Sequence, residues 1–271
     1  MPLTDLIRYF NVADQTGEST LYPEGERAAA WHQGLRLGSL FQPIVDLQRE
    51  CIVGHQATLS ARREDGTSVS SEAAYALCQT PEEVVHFDRL SRTLHALNFL
   101  AQRRYAGGYL QLAVHSRHLQ AVQSQHGLVY EAILKRCGLG PADIVLEIDR
   151  GQASHDSRLL AALNSYRQRG YRLAVGAVSP EIAPAELFAL QPDILKLTLA
   201  EASECFAEAR QAGVTIALSG IDSGQDYALA RTSGADFGQG SLFGLPQIDC
   251  RATHSGRRVA YNSVSLSGVQ T

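Results

Sequence analysis

The sequence predicts an α/β fold, a TIM-like (β/α)8 barrel with an antiparallel first strand. From residue 22 onward, short β-branched or apolar runs alternate with longer segments of helical period. Several helical segments end at a glycine that is followed by a strand within a few residues. The first two strands are separated by about three residues, too few for the crossover that parallel neighbours need. An open doubly wound sheet is the alternative fold.

The strands are predicted from short runs rich in β-branched and apolar residues. In chain order they cover residues 40–47, 51–61, 109–116, 143–149, 172–178, 193–199, 214–221 and 237–244. The first two are expected to form an antiparallel hairpin. In a barrel, the functional site lies at the carboxyl ends of the parallel strands.

The helices are predicted from the residues at their ends. Thr80 can cap a long helix, Pro81 suits its first position, and Glu83 completes a capping box. Apolar residues then recur at spacings of three and four as far as Leu97. Three later helices are expected to end at glycines that adopt positive φ, namely Gly170, Gly213 and Gly234.

Composition bounds the class of protein. The 271 residues are 45 % hydrophobic and 19 % charged, and no low-complexity linker divides them. We therefore expect an N-terminal lead (1–21), one domain (22–250) and a C-terminal tail (251–271). The net charge of -4 makes nucleic-acid binding unlikely. No run reaches the roughly 20 apolar residues of a membrane span, so a cytoplasmic protein is expected.

Cysteine and histidine spacing gives no metal or redox motif. The five cysteines include no C-x-x-C pair, and they are expected to be buried free thiols. The segment HSRH at 115–118 is a weak metal pattern without a second cluster, so its histidines are expected on the surface or in a loop. No cofactor is predicted.

Several motifs, in their order and spacing, resemble the EAL-domain family, the bacterial phosphodiesterases that hydrolyse cyclic di-GMP. They are FQPIVDL, IVGHQATLSA, IVLEID, PDILKL, LSGIDS and ADFGQGSLFGLP, and the resemblance covers about residues 25–248. It implies a barrel of the EAL type. It also implies two-metal chemistry, in which paired Mg²⁺ or Mn²⁺ ions activate a water against a phosphodiester.

Most metal-ligand positions of that family carry other residues here. The resemblance places them on Gln56, Ala113, Gly176, Ala177 and Ser219. Glu147 is retained, and Asp149, on the same side of its strand, could supply at most a second ligand. We therefore predict no catalytic residues, no bound metal and no enzymatic activity.

Other positions of the ligand site match the family. The resemblance implies a vestigial ligand site at Gln42, Pro43, Ile44, Glu147, Lys196, Asp222 and Gln239, the last followed by Gly240. Simpler roles remain open: Lys196 and Glu147 can form an ion pair, and Gln239 can bond to loop backbone. Asp222 can anchor a loop or cap the helix that begins near Ser223.

Two substitutions disfavour ligand binding. Ser60 stands where the resemblance places an arginine that contacts a ligand phosphate, and Thr58 replaces a leucine. Arg62 and Arg63 are candidate substitute cations. The leading hypothesis is a regulator that binds another protein, with a homodimer also expected. The alternatives are a receptor that binds cyclic di-GMP without hydrolysis and, less favoured, an active phosphodiesterase.

Overall fold

The computed structural model describes residues 3–13, 19–102, 106–122, 128–149, 157–176, 184–199 and 202–250. The strands in chain order are β1 (Ser19–Glu24), β2 (Arg27–His32), β3 (Leu35–Asp46), β4 (Cys51–Arg63), β5 (Ser68–Val69), β6 (Tyr109–Val114), β7 (Ile144–Asp149), β8 (Arg172–Gly176), β9 (Ile194–Thr198), β10 (Thr215–Ser219) and β11 (Phe237–Gly238).

Eight of these strands close into a barrel. The sheet order is β1-β2-β3-β11-β10-β9-β8-β7-β6-β4-β5, and β3 also pairs with β4, which closes the ring. β3 is antiparallel to both neighbours, β4 and β11, whereas the remaining ring pairs are parallel. The predicted barrel with an inverted first strand is confirmed, and the open doubly wound sheet is wrong because β3 joins the two ends of the sheet.

The hairpin of β3 and β4 is longer than predicted and extends beyond the ring. β3 begins at Leu35 rather than residue 40, and β4 ends at Arg63 rather than residue 61. β2 pairs with the start of β3, β1 with β2, and β5 with the end of β4. These three additional strands were not predicted, and they form a sheet extension at one end of the barrel.

The helices in chain order are α1 (Leu3–Ala13), α2 (Ser71–Ala76), α3 (Pro81–Ala101), α4 (Ser116–Ala121), α5 (Leu128–Cys137), α6 (Ser157–Gln168), α7 (Pro184–Ala189), α8 (Ala202–Gln211) and α9 (Gly224–Ser233). The Thr80 hydroxyl accepts from the Glu83 N–H at 3.2 Å, and Thr80 N–H donates back to Glu83, as the capping box predicts. Gly170, Gly213 and Gly234 have φ of 85°, 68° and 83°, which confirms the predicted left-handed helix ends.

The N-terminal lead includes a helix that docks on the extension. Leu6, Ile7 and Phe10 of α1 are buried in an apolar cluster with residues of β2, β3 and α3. β1 crosses the predicted boundary at residue 21. The C-terminal tail, 251–271, lies outside the described residues.

The last predicted strand is much shorter in the structure. β11 ends at Gly238, and the chain then turns, with the N–H groups of Phe243 and Gly244 donating to the Gly240 carbonyl at 3.2 Å. Gly240 permits the turn because a Cβ there would lie 2.0 Å from the Ile221 carbonyl oxygen. Of the strand predicted at 172–178, β8 covers 172–176, and the rest lies outside the described residues.

Two apolar layers build the barrel. Alternate strand residues facing the helices form the main core, and those facing inward form a floor of Ile44, Tyr109, Val145, Ala174 and Ile194. The structure describes Cys78, Cys137 and Cys250 as buried free thiols, in line with the prediction, and Cys51 as partly buried.

One histidine prediction is wrong. His118 is 3 % exposed, with its Nδ1 3.1 Å from the buried carboxylate of Asp88. Asp88 also accepts from Tyr75 Oη at 3.0 Å, so this group ties α2, α3 and α4 together. Among the described helices, none is long and apolar enough to cross a membrane.

Candidate functional site at the barrel mouth

Polar side chains gather above the apolar floor, near the carboxyl ends of the parallel strands. Because strand residues alternate between two faces, Glu147 lies on the same face of β7 as Val145, which belongs to the floor. Lys196 lies likewise above Ile194 on β9. Their side chains are 13 % and 14 % exposed. The barrel therefore places one carboxylate, that of Glu147, and one ammonium group, that of Lys196, inside its mouth.

Glu147 accepts hydrogen bonds from three side chains. Its Oε2 accepts from Gln56 Nε2 at 2.7 Å and from Gln111 Nε2 at 2.8 Å. Its Oε1 accepts from Lys196 Nζ at 3.1 Å. The sequence left open whether Lys196 pairs with Glu147, and in the structure the two side chains form this ion pair. Charge-assisted bonds of this kind are the stronger ones, and burial strengthens them further.

Gln56 links this ion pair to the opposite side of the mouth. Its Oε1 accepts from Lys196 Nζ at 3.0 Å and from Gln239 Nε2 at 2.6 Å. Gln239 Nε2 also lies 2.9 Å from Gln42 Oε1, and Gln42 Nε2 donates to the Gly244 carbonyl at 3.0 Å. The side-chain amide of Gln239 therefore donates to side chains rather than to loop backbone. We call these six residues, Gln42, Gln56, Gln111, Glu147, Lys196 and Gln239, the mouth network.

The donors around Glu147 do not fit a divalent cation. Amide N–H groups and an ammonium group direct hydrogens at the carboxylate, whereas Mg²⁺ and Mn²⁺ require oxygen ligands. In the part of the chain that the structure describes, no three His, Cys, Asp or Glu side chains are grouped as a metal site. The mouth network instead balances one negative and one positive charge internally.

Gly176 lies directly beside the ion pair. It is the last residue of β8, and a Cβ placed there would be 2.9 Å from Glu147 Oε1 and 3.6 Å from Lys196 Cβ. A side chain at this position would therefore displace the Glu147 carboxylate, whereas its contact with Lys196 would be an ordinary one. Ala177 lies outside the described residues.

Two other positions at which the resemblance places metal ligands, Ala113 and Ser219, lie at the carboxyl ends of their strands. Ala113 on β6 is the register partner of Glu147. Ser219, at the end of β10, donates its hydroxyl to the Leu197 carbonyl at 3.1 Å. Asp149 is the register partner of Gly176. Ala113 and Asp149 are thus the register neighbours of Glu147 and Gly176, and the ligand roles that the resemblance implies for these positions stay predictions.

The remaining predicted ligand residues have structural roles. Asp222 accepts from Ser241 N–H at 2.7 Å, so it anchors a loop, while Ser223 is the N-cap of α9. Pro43 is the register partner of His55 on β4, and Ile44 is 3 % exposed in the floor. Pro43 and Ile44 directly follow Gln42 of the mouth network along β3, and their apolar side chains add no polar group to it.

The positions along β4 beyond Gln56 leave the barrel. Thr58 and Ser60 face Leu40 and Gly38 across the hairpin. Arg62 lies roughly 20 Å along the strand from Gln56, at about 3.3 Å per residue. Its guanidinium donates to the Gly66 carbonyl at 3.3 Å. The candidate substitute cations therefore lie at the far end of the hairpin.

Gln111 is a member of the mouth network that the sequence analysis missed. It is 3 % exposed and lies two residues before Ala113, on the same face of β6. The alternation of β-strand side chains was the signal that could have identified it.

The fold and the site together define a class of protein: an α/β barrel with one antiparallel strand, β3, and a polar mouth that carries one ion pair. The chain belongs to the EAL-domain family, whose family model matches residues 27–246. A sequence search of curated proteins gave no match.

Solved structures with the same fold are distant in sequence. The EAL domain of FimX from Pseudomonas aeruginosa, bound to c-di-GMP, is 17 % identical with a TM-score of 0.67, over 81 % of this chain and 94 % of that one. BlrP1 from Klebsiella pneumoniae, in a calcium and c-di-GMP complex, is 17 % identical with a TM-score of 0.68, over 86 % and 60 %. The EAL enzyme Bd1971, bound to cAMP and c-di-GMP, is 18 % identical with a TM-score of 0.67, over 91 % and 67 %.

Proposed function

We propose that this protein is a catalytically inactive EAL-domain regulator, acting in the cytoplasm in cyclic di-GMP-related signalling through a protein partner. The observation that carries the proposal is the ion pair of Glu147 and Lys196, closed by the Gln56 amide. The one carboxylate retained from the expected ligand set is already bonded through both of its oxygens.

Electrostatics support the loss of phosphodiester hydrolysis. Two divalent cations packed close together need several anionic or carbonyl oxygens around them. Within the mouth network, amides and an ammonium group stand around the Glu147 carboxylate, so the network itself carries no net charge before any cation enters. A cation would have to displace Lys196 and reorient Gln56, and both changes would break bonds of the mouth network.

Electrostatics also disfavour tight binding of a dinucleotide. The ammonium of Lys196 lies 3.1 Å from Glu147, so a phosphate would compete with a carboxylate that is already in place. Ser60 supplies no bidentate guanidinium contact. The described strands and helices of the barrel nevertheless share a large buried apolar core. A packed barrel whose mouth is closed by its own side chains favours recognition of another protein at its surface.

The second candidate is a receptor that binds cyclic di-GMP without cutting it. The EAL domain of FimX is bound to c-di-GMP in its solved structure, and this chain has Gln42, Lys196 and Gln239 at positions where the resemblance implies ligand contacts. In this case Lys196 would exchange Glu147 for a phosphate oxygen when the ligand binds.

Calorimetric titration with cyclic di-GMP, with and without Mg²⁺ or Mn²⁺, separates the two proposals when the same mixtures are assayed for linear product. No heat at high micromolar ligand and no product support the regulator. Heat without product supports the receptor, and the heat must then vanish in Lys196→Met but persist in Lys135→Met, which changes an exposed lysine of α5. Metal-dependent product would refute both proposals.

A further inference from the structure

The sheet extension and the far end of the β3–β4 hairpin form a wall beside the barrel mouth. β4 is parallel to β6 and pairs with it as far as Ala57, so the hairpin beyond that residue projects past the carboxyl ends of the ring strands. Helices α1, α2 and α3 pack on one face of the wall, in an apolar cluster that includes Leu35 and Ala61. By alternation, the opposite face continues the side of β3 and β4 that carries Gln42 and Gln56.

An aromatic residue and two arginines form one row on this opposite face. Trp31 on β2 is the register partner of Arg36 on β3, and Arg36 is the register partner of Arg62 on β4. Register partners share a face of the sheet. Nearer the mouth, Leu40 is opposite Thr58. Trp31 is 37 % exposed, and Thr58 and Arg62 are exposed as well. We call these five residues the wall face.

Further exposed apolar side chains border the wall face. Phe41 N–H donates to the Gln247 carbonyl at 2.6 Å and Gln247 N–H to the Phe41 carbonyl at 3.0 Å, so the segment after β11 lies along β3. Leu245 and Ile248, on either side of this bridge, are 59 % and 51 % exposed. With Trp31, they are three of the six large apolar side chains exposed in the described part of the chain. Exposed apolar residues that gather in this way mark an interaction surface.

The positive charge of the wall face is only partly balanced. Arg36 is hydrogen-bonded to Glu24. Arg62 donates to the Gly66 carbonyl at 3.3 Å, and it forms no ion pair with a carboxylate of the described residues. Like charges directly opposite each other on a sheet are destabilising. The placement of Arg62 beside Arg36 is therefore unfavourable in the protein alone, and an acidic neighbour would remove the cost.

We propose that the wall face is the docking surface for an acidic segment of a protein partner, which places a carboxylate on Arg62 and an apolar side chain against Trp31. The inference rests on the proposed function, because it assigns a surface to the partner of the regulator. Tryptophan and arginine are among the residue types that dominate binding energy at interfaces. A guanidinium also binds a carboxylate through two parallel hydrogen bonds, which fixes the orientation of the partner.

Charge disfavours two other occupants of the wall face. The tail, residues 251–271, contains Arg251, Arg257 and Arg258 and no acidic residue, so its charge has the same sign as that of the wall face. A nucleic acid is held by several cations along its backbone. The wall face offers two arginines, of which Arg36 is already bonded to a carboxylate.

The fluorescence of Trp31 reports on this face, because it is the only tryptophan in the chain. The probe is a synthetic peptide of alternating glutamate and leucine, titrated into the full chain, with the matched lysine–leucine peptide as its control. The glutamate peptide should shift the emission to shorter wavelength, since docking removes water from the indole, and the lysine peptide should not. Arg62→Glu should weaken binding about tenfold or more. Arg49→Glu should leave it unchanged, since Arg49 is 80 % exposed in the turn between β3 and β4.

A photo-crosslinking amino acid at Thr58 extends the test to the native partner. In cells it should join the chain to segments rich in aspartate and glutamate, and the crosslinks should disappear in Arg62→Glu but persist in Arg49→Glu. The segment identified in this way, synthesised with its acids changed to lysine, should bind Arg62→Glu in preference to the wild type. Crosslinks to segments without an excess of acid would contradict the proposal.

Four fluorescence results would overturn the proposal. They are no shift with millimolar glutamate peptide, a shift that Arg62→Glu leaves unchanged, a stronger shift with an oligothymidylate, and a shift produced by raising the protein concentration alone, which would make a second copy the occupant. The calorimetric test stays separate. Metal-dependent product would refute the regulator, whereas a missing shift in a protein that forms no product would refute only the assignment of the wall face.

Discussion

Breaking the ion pair of the mouth network by Lys196→Met should destabilise the protein, and a double-mutant cycle with Glu147→Gln measures the coupling. At 3.1 Å the pair lies well inside contact range. With an effective dielectric constant of about 20, its gross Coulomb energy is about 5 kcal/mol. Desolvation cancels much of this energy, so a coupling of about 2–3 kcal/mol is expected.

Each single variant leaves one charge in the mouth without its partner. Lys196→Met leaves Glu147 with the amides of Gln56 and Gln111, and the expected loss is about 2 kcal/mol. Glu147→Gln leaves the ammonium with Gln56 Oε1, at a similar cost. The double variant removes both charges and should lose only about 1–2 kcal/mol, which corresponds to the expected coupling.

Equilibrium unfolding in urea at neutral pH is the assay for the four proteins of the cycle. The control is the same cycle on Arg36 and Glu24, whose side chains are 43 % and 49 % exposed and hydrogen-bonded to each other. An exposed pair should give a coupling of about 0.5 kcal/mol or less. A mouth coupling no larger than that of the surface pair would refute the charge-balanced mouth.

Three further predictions test other parts of the structure. The Gly176→Asp variant should lose about 2–4 kcal/mol of stability at pH 8 and less at pH 5, because at pH 5 one of the two neighbouring carboxyls can take up a proton. Gly176→Asn adds a side chain of similar size without a charge, and a loss at pH 8 equal to that of Gly176→Asp would contradict this account. Burial lowers the pKa of His95 to about 4; the unfolded chain therefore binds a proton first as the pH falls, and stability should drop by about 2 kcal/mol from pH 7.5 to pH 5. His95→Gln should remove that part of the pH dependence, measured by urea unfolding at both pH values. Thr80→Ala should cost about 1 kcal/mol while Thr80→Ser costs little, since the serine hydroxyl still caps α3; equal losses in the two variants would rule out a capping effect.

The ring of eight strands could be predicted because its signals are local. Most ring strands contain a short apolar run, and the left-handed glycines mark three helix ends. The extension could not be predicted in the same way. β2 contains Ala28, Ala29 and Ala30, a run that favours helix by propensity, and burial against α3 overrides this preference. Pro23 likewise weakens the strand signal of β1.

The site was predictable only in part, since pairing between distant strands decides which side chains meet. Glu147 and Lys196 were identified as a candidate pair, and the structure places them 3.1 Å apart. The role of Gln56 was not predicted, because a lost ligand says nothing about what the new side chain does. Gln111 and the buried His118 show the same limit: their partners lie on elements far away in the sequence.

The residues that stand at the expected ligand positions of the mouth form one consistent set. A glutamate at position 56 would place a second carboxylate about 2.7 Å from Glu147, where like charges repel strongly unless a cation or a shared proton separates them. Glutamine has nearly the same shape, yet it donates an N–H to Glu147 and still accepts from Lys196. At position 176, any side chain would collide with the same carboxylate. Gln56 and Gly176 therefore both suit a mouth in which Lys196 supplies the positive charge. A glutamate at position 56 or an aspartate at position 176, introduced alone, should destabilise the barrel and should not give phosphodiester hydrolysis.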